Sequence, residues 1–326
     1  MRSFVGTSFD SLESYSLQDI PTPEPVAGQV RIRIQATALG FVDGLKVQGR
    51  YQVKPSLPYV PGSEIAGIVD AIGPDVTGVR IGDKVATWKL GGGLAEQAVV
   101  DASSVLIVNE DISPSTTAAM FVDYLTSYYA LFECGKLRLG DTVLVLGASS
   151  GVGAVAVQMA ARAGAHVIAA VSTASKGEIA RKLGARSVVN YLEPDWRERL
   201  KAVAPGGVVD IVYDGVGGDV FEPAFRSLAK GGRHLVVGFA GGKIPSLPSN
   251  LALLKGASLV GVDPAAFQLM EPERARRVQQ SLYAMVAAGF LLPPPIIEFP
   301  LGRSREALEA LLSRDKKGKV VVLPQH

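Results

Sequence analysis

The sequence predicts an α/β protein in which a strand-rich region precedes a doubly wound parallel sheet. The first third alternates apolar and polar residues with a period of two between turns rich in Gly and Pro, which is typical of half-buried strands. From residue 119 to residue 262, short apolar runs alternate with helical patterns, as they do in a parallel sheet with crossover helices.

Length and composition set limits on what the chain does. Its 326 residues exceed what one hydrophobic core usually supports, so we expect two domains. The net charge of +2 and the lack of a long basic run argue against a nucleic-acid or membrane surface. With one cysteine, Cys134, and no signal-peptide pattern or long apolar run, we expect a cytoplasmic protein without an internal disulfide.

The first region reads as strands and the next as a helix. Strands are expected over Gln29–Ala38, Ser63–Gly73 and Gly82–Leu90, where the alternation is regular. Near Ser113 the spacing becomes helical, with Ser113 and Ser115 as candidate N-caps and Gly135 as a stop.

The second region reads as alternating strands and helices. Strands are expected over Thr142–Gly147, His166–Val171, Ser187–Asn190, Val208–Asp214, His234–Ala240 and Ser258–Val262, and helices over Val152–Ala163 and Lys176–Leu183 and from about Asp195 and Asp219. The C-terminal part predicts helices over Pro272–Ala288 and Arg305–Ser313, the second with Ser304 as N-cap, and a strand over Lys319–Leu323.

A glycine-rich turn, "LGASSGVG" at Leu146–Gly153, joins the first of these strands to a helix. Gly147, Gly151 and Gly153 let backbone N–H groups and the helix N-terminus approach a pyrophosphate. We therefore predict a dinucleotide site whose contacts include Ser149, Ser150, Gly151 and Val152. The alternative is that the glycines serve only close packing of helix and strand.

The next strand ends in "AAVSTASK", Ala169–Lys176, which contains no acid. An Asp or Glu there would hydrogen-bond the ribose of NAD and repel a 2′-phosphate. Ser172 and Lys176 instead supply a hydroxyl and a cation, and Tyr191 adds a phenolic donor or a stacking surface for adenine. The predicted cofactor is NADPH. Alternatively, Lys176 is a solvated lysine at a helix start.

Nearly the whole chain resembles the zinc-independent quinone oxidoreductase branch of the medium-chain dehydrogenase/reductases. The resemblance is carried by the glycine turn and by segments along the chain: Val42–Val69, "GDKVA" (Gly82–Ala86), "GGLAEQAVV" (Gly92–Val100), "LTSYYAL" (Leu125–Leu131), "VVNY" (Val188–Tyr191), "DIVYDGVGG" (Asp210–Gly218), "GGRHLVVGFA" (Gly231–Ala240) and "GKVVV" (Gly318–Val322). A short-chain dehydrogenase would place the glycine motif near its N-terminus and carry Tyr-x-x-x-Lys, a pattern that this chain lacks.

The resemblance implies a domain plan and a set of contacts. A discontinuous GroES-like domain, 1–118 with 263–326, carries the substrate site, a Rossmann domain at 119–262 binds NADPH, and the catalytic cleft lies between them. Besides the residues of the glycine turn and the next strand, the cofactor contacts implied are Thr126, Val216, Phe239, Ala240 and Lys319. Homodimerisation through the strand "SLVGV", Ser258–Val262, is also implied.

Zinc chemistry is not expected. The segment "PGSE", Pro61–Glu64, has Ser63 where the zinc-dependent branch carries histidine. His166, His234 and His326 lie outside the first third of the chain, the first two inside predicted strands, and Cys134 is alone. Without a Lewis acid the fitting reaction is hydride transfer to an electron-poor acceptor, a quinone or an activated C=C bond.

The resemblance places substrate near Phe41, Asp43, Tyr51 and Phe121. Tyr51 is the candidate for orienting or protonating the acceptor oxygen, with a packing tyrosine or solvent as alternatives. Asp43 is expected to hold its loop rather than transfer protons.

Three departures from the family bear on the substrate and the cofactor. Gly40 replaces an Asn, which removes a polar contact near the nicotinamide, and Ser150 replaces a Gly of the turn. Asp263 with Pro264 replaces aromatic residues, and from this change we expect a different pocket wall and a more polar acceptor. Three alternative functions stay open: a non-enzymatic NADPH-binding protein, an enoyl reductase that acts on a polar or thioester substrate, and a lyase or isomerase-like enzyme.

Overall fold

The computed structural model describes residues 1–9, 11–51, 53–108, 111–313 and 318–324. The chain divides into two compact units, Met1–Val122 with Arg276–His326, and Asp123–Ala275. The units change at 122/123 and 275/276, whereas the sequence pattern and the resemblance predicted changes at 118/119 and 262/263. No helix in the described ranges has the length and apolar character needed to cross a membrane.

The described residues of these two units form fifteen strands and ten α-helices. In chain order, strands β1 to β15 are Arg2–Gly6, Tyr15–Asp19, Gln29–Leu39, Glu64–Ile72, Lys84–Trp88, Gln97–Asp101, Leu106–Ile107, Thr142–Leu146, His166–Val171, Ser187–Asn190, Val209–Asp214, Leu228–Val236, Ser258–Gly261, Ile296–Pro300 and Lys319–Leu323. Helices α1 to α10 are Phe41–Val47, Pro114–Tyr128, Gly151–Arg162, Ala174–Lys182, Trp196–Val203, Phe221–Phe225, Ser249–Lys255, Pro264–Met270, Pro272–Ala287 and Ser304–Leu312. A π-helical turn, Tyr129–Cys134, continues α2.

The first unit contains a seven-stranded sheet in the order β14-β15-β3-β4-β5-β7, with β6 paired to β3. Its long central strand, β3, has every second residue buried from Val30 to Ile34, as the period-two pattern predicts. Those residues join Ile65, Val69 and Val85 in one apolar cluster. The C-terminal strand β15 pairs with β3, which brings the end of the chain back to the first unit.

The second unit contains a six-stranded parallel sheet in the order β10-β9-β8-β11-β12-β13. Every residue of β8 is buried, which explains its uninterrupted apolar run. Chain order reverses between β8 and β11, and ligands bind at such switch points, beyond the carboxyl ends of the strands. The predicted parallel sheet is confirmed.

Of three serines predicted to cap helices, one does so and two do not. Ser113 caps α2 by accepting from the Thr116 N–H (3.1 Å), whereas the Ser115 hydroxyl donates to Glu298. Ser304 is the first residue of α10 rather than its cap, and its hydroxyl donates to the Leu301 carbonyl.

The fifth strand of the parallel sheet, β12, also differs from its prediction, since it runs over Leu228–Val236 rather than His234–Ala240. The pair Gly231–Gly232 reads as a turn but lies inside the strand, where Gly231 has φ of +79°. Beyond Val236 the chain still runs beside the end of β11, since the N–H of Val237 donates to the Asp214 carbonyl.

Candidate active site

The glycine turn is built so tightly that its glycines are sterically required. Gly147 has φ of +71°, which L-residues with a side chain rarely adopt. A Cβ at Gly153 would lie 2.2 Å from the Gly147 carbonyl oxygen, and one at Gly151 would lie 2.4 Å from Asp123 Oδ2. Packing alone therefore explains part of the motif. Because glycine has no Cβ to block an approach to the N-terminus of α3, the turn also fits a pyrophosphate.

Ser150, the residue that departs from the usual turn, directs its hydroxyl inward. Its Oγ donates to the Gly147 carbonyl over 2.8 Å, and its extended backbone precedes α3. The hydroxyl thus stabilises the turn instead of blocking the approach to it. Beside it, Ser149 is half-buried, and the Val152 carbonyl accepts from Ser127 over 2.9 Å. Thr126, the residue before Ser127 on α2, is buried.

The structure brings together the two residues predicted to hold a 2′-phosphate. Lys176 Nζ donates to Ser172 Oγ over 3.2 Å, and Thr173 between them caps α4 by accepting from the Lys176 N–H. Tyr191 follows the adjacent strand β10, half-buried, and its N–H donates to the Val171 carbonyl. A hydroxyl, an ammonium group and a phenol therefore lie at the ends of two neighbouring parallel strands.

A second turn, at the end of β11, lies against the glycine turn. The Asp214 carboxylate accepts from the N–H groups of Val216 and Gly217, each over 2.8 Å. Val216 Cγ2 lies 3.0 Å from where a Cβ of Gly147 would stand. Phe239 Cδ1 lies 3.0 Å from where a Cβ of Gly217 would stand. The Ala240 N–H donates to the Gly215 carbonyl.

Val216, Phe239 and Ala240, three of the residues predicted to contact the cofactor, thus lie around one turn next to the glycine motif. Sequence motifs did not point to Asp214 or Asp123. The signal for Asp214 was an acid as the last residue of a buried strand. Asp123 lies on a helix far from the turn in sequence, and its position follows only from the fold.

In the first unit, Asp43 lies in a buried polar cluster. Its Oδ2 accepts from the Gly40 N–H over 2.9 Å, and its Oδ1 accepts from Ser63 Oγ over 2.6 Å. Lys46 Nζ donates to the same Ser63 oxygen over 3.1 Å. Burial raises the pKa of the Asp43 carboxyl, and the Lys46 ammonium opposes that shift. Asp43 thus fixes the start of α1, in keeping with the predicted loop-holding role.

The other residues predicted to line the substrate pocket differ in how far they are accessible. Phe41 is exposed and Tyr51 half-buried. Phe121 is buried, and its carbonyl accepts from Gln279, so its side chain is a core group rather than an open contact. Asp263, in the second unit, is exposed and accepts from the N–H groups of Ala265 and Ala266, each over 3.1 Å. Its carboxylate is therefore committed to capping α8.

Lys319, a predicted cofactor contact, has its ammonium group engaged elsewhere. Its Nζ lies 2.7 Å from Glu64 Oε1, and both side chains are buried. Glu64 Oε2 also accepts from the Val122 N–H over 3.0 Å. A buried carboxylate needs a counter-charge, which accounts for the pairing. A Cβ at Gly40 would lie 3.1 Å from Glu64 Oε1, so a larger residue there requires this pair to shift.

Potential metal ligands are dispersed. In the ranges that the structure describes, no three His, Cys, Asp or Glu side chains form a group that could hold a metal ion. His166 and His234 lie in β9 and β12, as predicted. His326 falls outside the described residues. Ser63, at the position where zinc-dependent relatives carry histidine, is hydrogen-bonded to Asp43 and Lys46.

Comparison with known proteins gives the family. Residues 26–110 match the model for the alcohol dehydrogenase GroES-like domain, and residues 151–276 match the zinc-binding dehydrogenase model. The quinone oxidoreductase-like protein 2 homolog of Nematostella vectensis is 35% identical over 90% of this chain and 81% of its own length.

Solved structures agree. A probable oxidoreductase of Mycobacterium abscessus is 34% identical, with a TM-score of 0.87 over 99% of both chains. The quinone oxidoreductase of Escherichia coli, solved in complex with NADPH, is 28% identical, with a TM-score of 0.92 over 99% of this chain and 100% of the other. The chain therefore belongs to the quinone oxidoreductase family of the medium-chain dehydrogenases/reductases.

Proposed function

We propose that this chain is an NADPH-dependent reductase that transfers a hydride to a quinone or to an activated C=C bond without a metal ion. The observation that carries the proposal is the Ser172–Lys176 pair, joined over 3.2 Å at the end of a strand without an acid, beside a glycine turn shaped for a pyrophosphate. NADPH supplies the hydride when it is bound.

Three groups of the second unit would hold the cofactor. The N-terminal N–H groups of α3 would bind the pyrophosphate, and Lys176 with Ser172 would bind the 2′-phosphate. Tyr191 would contact the adenosine part. The relative from Escherichia coli, whose structure contains NADPH, supports the choice of nucleotide.

The first unit supports chemistry that needs no Lewis acid. Ser63 stands where the family resemblance places a zinc-binding histidine in the zinc-dependent branch. Its hydroxyl lies between the buried Asp43 carboxylate and the buried Lys46 ammonium group. A quinone or enone is already electron-poor, so positioning and a fixed polar environment are sufficient. Tyr51 would orient the acceptor oxygen and donate the proton, with solvent as the alternative source.

The test follows the absorbance of NADPH with 1,4-benzoquinone, 9,10-phenanthrenequinone and a series of small enones and enoyl thioesters. Oxidation with a subset of these acceptors is expected, and that subset defines the substrate class. NADH should be a poor replacement. Tight NADPH binding without oxidation by any acceptor would contradict a reductase and favour a nucleotide-binding protein.

We also propose that the chain forms a homodimer through β13. Among the described strands, β13 pairs with β12 alone and is the edge of the six-stranded sheet. Leu259 in β13 is 45% exposed, and Leu253 and Leu254 of nearby α7 are exposed further, which is unusual for an edge that stays in water. Light scattering should give a dimer that Leu259→Lys converts to a monomer. Ile81→Lys, at an exposed position of the first unit, is the matched control.

A further inference from the structure

Lys46 is a buried lysine that neither the motifs nor the proposed reaction explains. Its side chain is almost fully inaccessible, at 1% exposure, although lysine is among the residue types least often buried. Its Nζ donates to Ser63 Oγ over 3.1 Å, and Ser63 in turn donates to Asp43 over 2.6 Å. The hydroxyl therefore connects the ammonium group to its counter-charge.

Two aromatic rings complete the surroundings of this ammonium group. Lys46 Nζ lies 5.8 Å from the centre of the Tyr51 ring and 5.7 Å from that of Trp88. Both distances fall within the range at which a cation is attracted to the face of a ring. Lys46 lies on α1, Tyr51 beyond the end of that helix, and Trp88 at the end of β5. One side chain thus ties together three segments of the first unit.

We propose that Lys46 is a positioning residue that holds the rings of Tyr51 and Trp88 in place for contact with the acceptor. The proposal rests on the proposed function, in which Tyr51 contacts the acceptor. The ligand class it implies is a planar conjugated molecule, because two fixed aromatic rings contact a flat π-system with little loss of side-chain freedom.

The Lys46 ammonium group also balances the charge of the buried Asp43 carboxylate. Without Lys46, the buried Asp43 carboxylate would keep the Ser63 hydroxyl, the Gly40 N–H and the weaker influence of the Lys319 charge. Its pKa, already raised by burial, would rise further because the opposing ammonium is gone. An uncharged side chain at position 46 is therefore compatible with folding through protonation of Asp43, while the attraction to the rings is lost.

The test measures acceptor binding without turnover. The chain has two tryptophans, and Trp196→Phe leaves Trp88 as the single fluorophore. This parent is titrated with 9,10-phenanthrenequinone in the absence of NADPH, and quenching of Trp88 gives Kd. Lys46→Met is expected to raise Kd by about tenfold. Ser63→Ala, which removes the anchor but keeps the ammonium group, should raise it by a smaller factor.

Lys54→Met is the matched control, because Lys54 is exposed and does not belong to the cluster of Asp43, Ser63 and Lys46. Its Kd should equal that of the parent. A role of Lys46 in stability alone would lower the melting temperature and leave Kd unchanged, and that result would overturn the proposal. If Lys46→Met does not fold, an unchanged Kd in Ser63→Ala would likewise overturn the proposal.

Failure of the proposed function is a separate result. Saturable quenching that weakens in Lys46→Met, without NADPH oxidation by the wild type, would support the positioning role and refute the reductase. Oxidation of NADPH with kcat unchanged and the acceptor KM raised in Lys46→Met would support both. No saturable quenching in the parent would overturn the inference, whatever the turnover.

Discussion

The imidazole of His234 lies 3.0 Å from the carboxylate of Asp214, and both side chains are buried. Because a carboxylate only accepts, His234 Nε2 is the donor. The other Asp214 oxygen accepts from the N–H groups of Val216 and Gly217. His234, on the neighbouring strand β12, therefore fixes the carboxylate that shapes the Val216 turn beside the glycine motif.

This relationship predicts that His234→Leu weakens NADPH binding. Without the donor, one Asp214 oxygen is buried and unpaired, and the carboxylate no longer has a fixed position over the turn. We expect Kd for NADPH to rise by about tenfold. His234→Gln keeps an N–H donor and should recover most of the affinity. Isothermal titration calorimetry measures both.

The control for this pair is His166→Leu, since β9 begins at His166, at the end of the parallel sheet opposite to the glycine turn. It should leave Kd unchanged. Equal affinity in His234→Leu and the wild type, with only a lower melting temperature, would mean that the pair serves stability alone.

The second prediction concerns the choice between NADPH and NADH. Lys176→Ala removes the ammonium group that donates to Ser172, and with it a charge-assisted hydrogen bond to a 2′-phosphate. The Kd for NADPH should rise by about ten- to hundredfold, while that for NADH stays the same. Lys182→Ala, in the last turn of the same helix, is the control. Equal use of both nucleotides by the wild type would refute the cofactor assignment.

Sequence patterns predicted the second unit best, because its signals are local. The run "TVLVLG" is apolar throughout because all five residues of β8 are buried, and the glycine turn follows directly. The Ser172–Lys176 pair is also local, one helical turn apart. Such contacts depend on a few consecutive residues and can be read from spacing.

The contacts that sequence patterns missed join distant residues. Lys46 and Ser63 are 17 positions apart, and Asp214 and His234 are 20 apart. Their meeting depends on how separate elements pack and pair in the fold, which a single sequence does not specify. Helix α8 was missed because its N-cap, Asp263, was interpreted as a pocket residue.

The third prediction separates two roles of Asp263. Asp263→Ala removes the cap of α8 and should lower the free energy of unfolding by about 1 kcal/mol. Asp263→Asn keeps a side-chain acceptor for the cap and should lower the free energy of unfolding by less. A preference for polar acceptors that depends on the charge would be lost in both variants. Relative rates on polar and apolar enones that stay unchanged in both, and in Asp263→Tyr, would leave capping as the only role.

The fourth prediction concerns stability at high pH. Tyr15, at the start of β2, is fully buried, and its hydroxyl has no hydrogen-bond partner among the described residues. Burial raises its pKa to about 12, against about 10 in an unfolded chain. Because the folded pKa is the higher one, the stability linked to this phenol is complete below about pH 10 and is lost as the pH rises towards 12.

Tyr15→Phe removes this ionisation together with an unpaired buried hydroxyl. Urea unfolding across the alkaline range should therefore show a smaller loss of stability in the variant, by on the order of 2 kcal/mol near pH 12. Both curves still fall, because burial also raises the pKa of Tyr124 and Tyr213. A curve for Tyr15→Phe that runs parallel to that of the wild type would show that Tyr15 does not ionise at the cost of the fold.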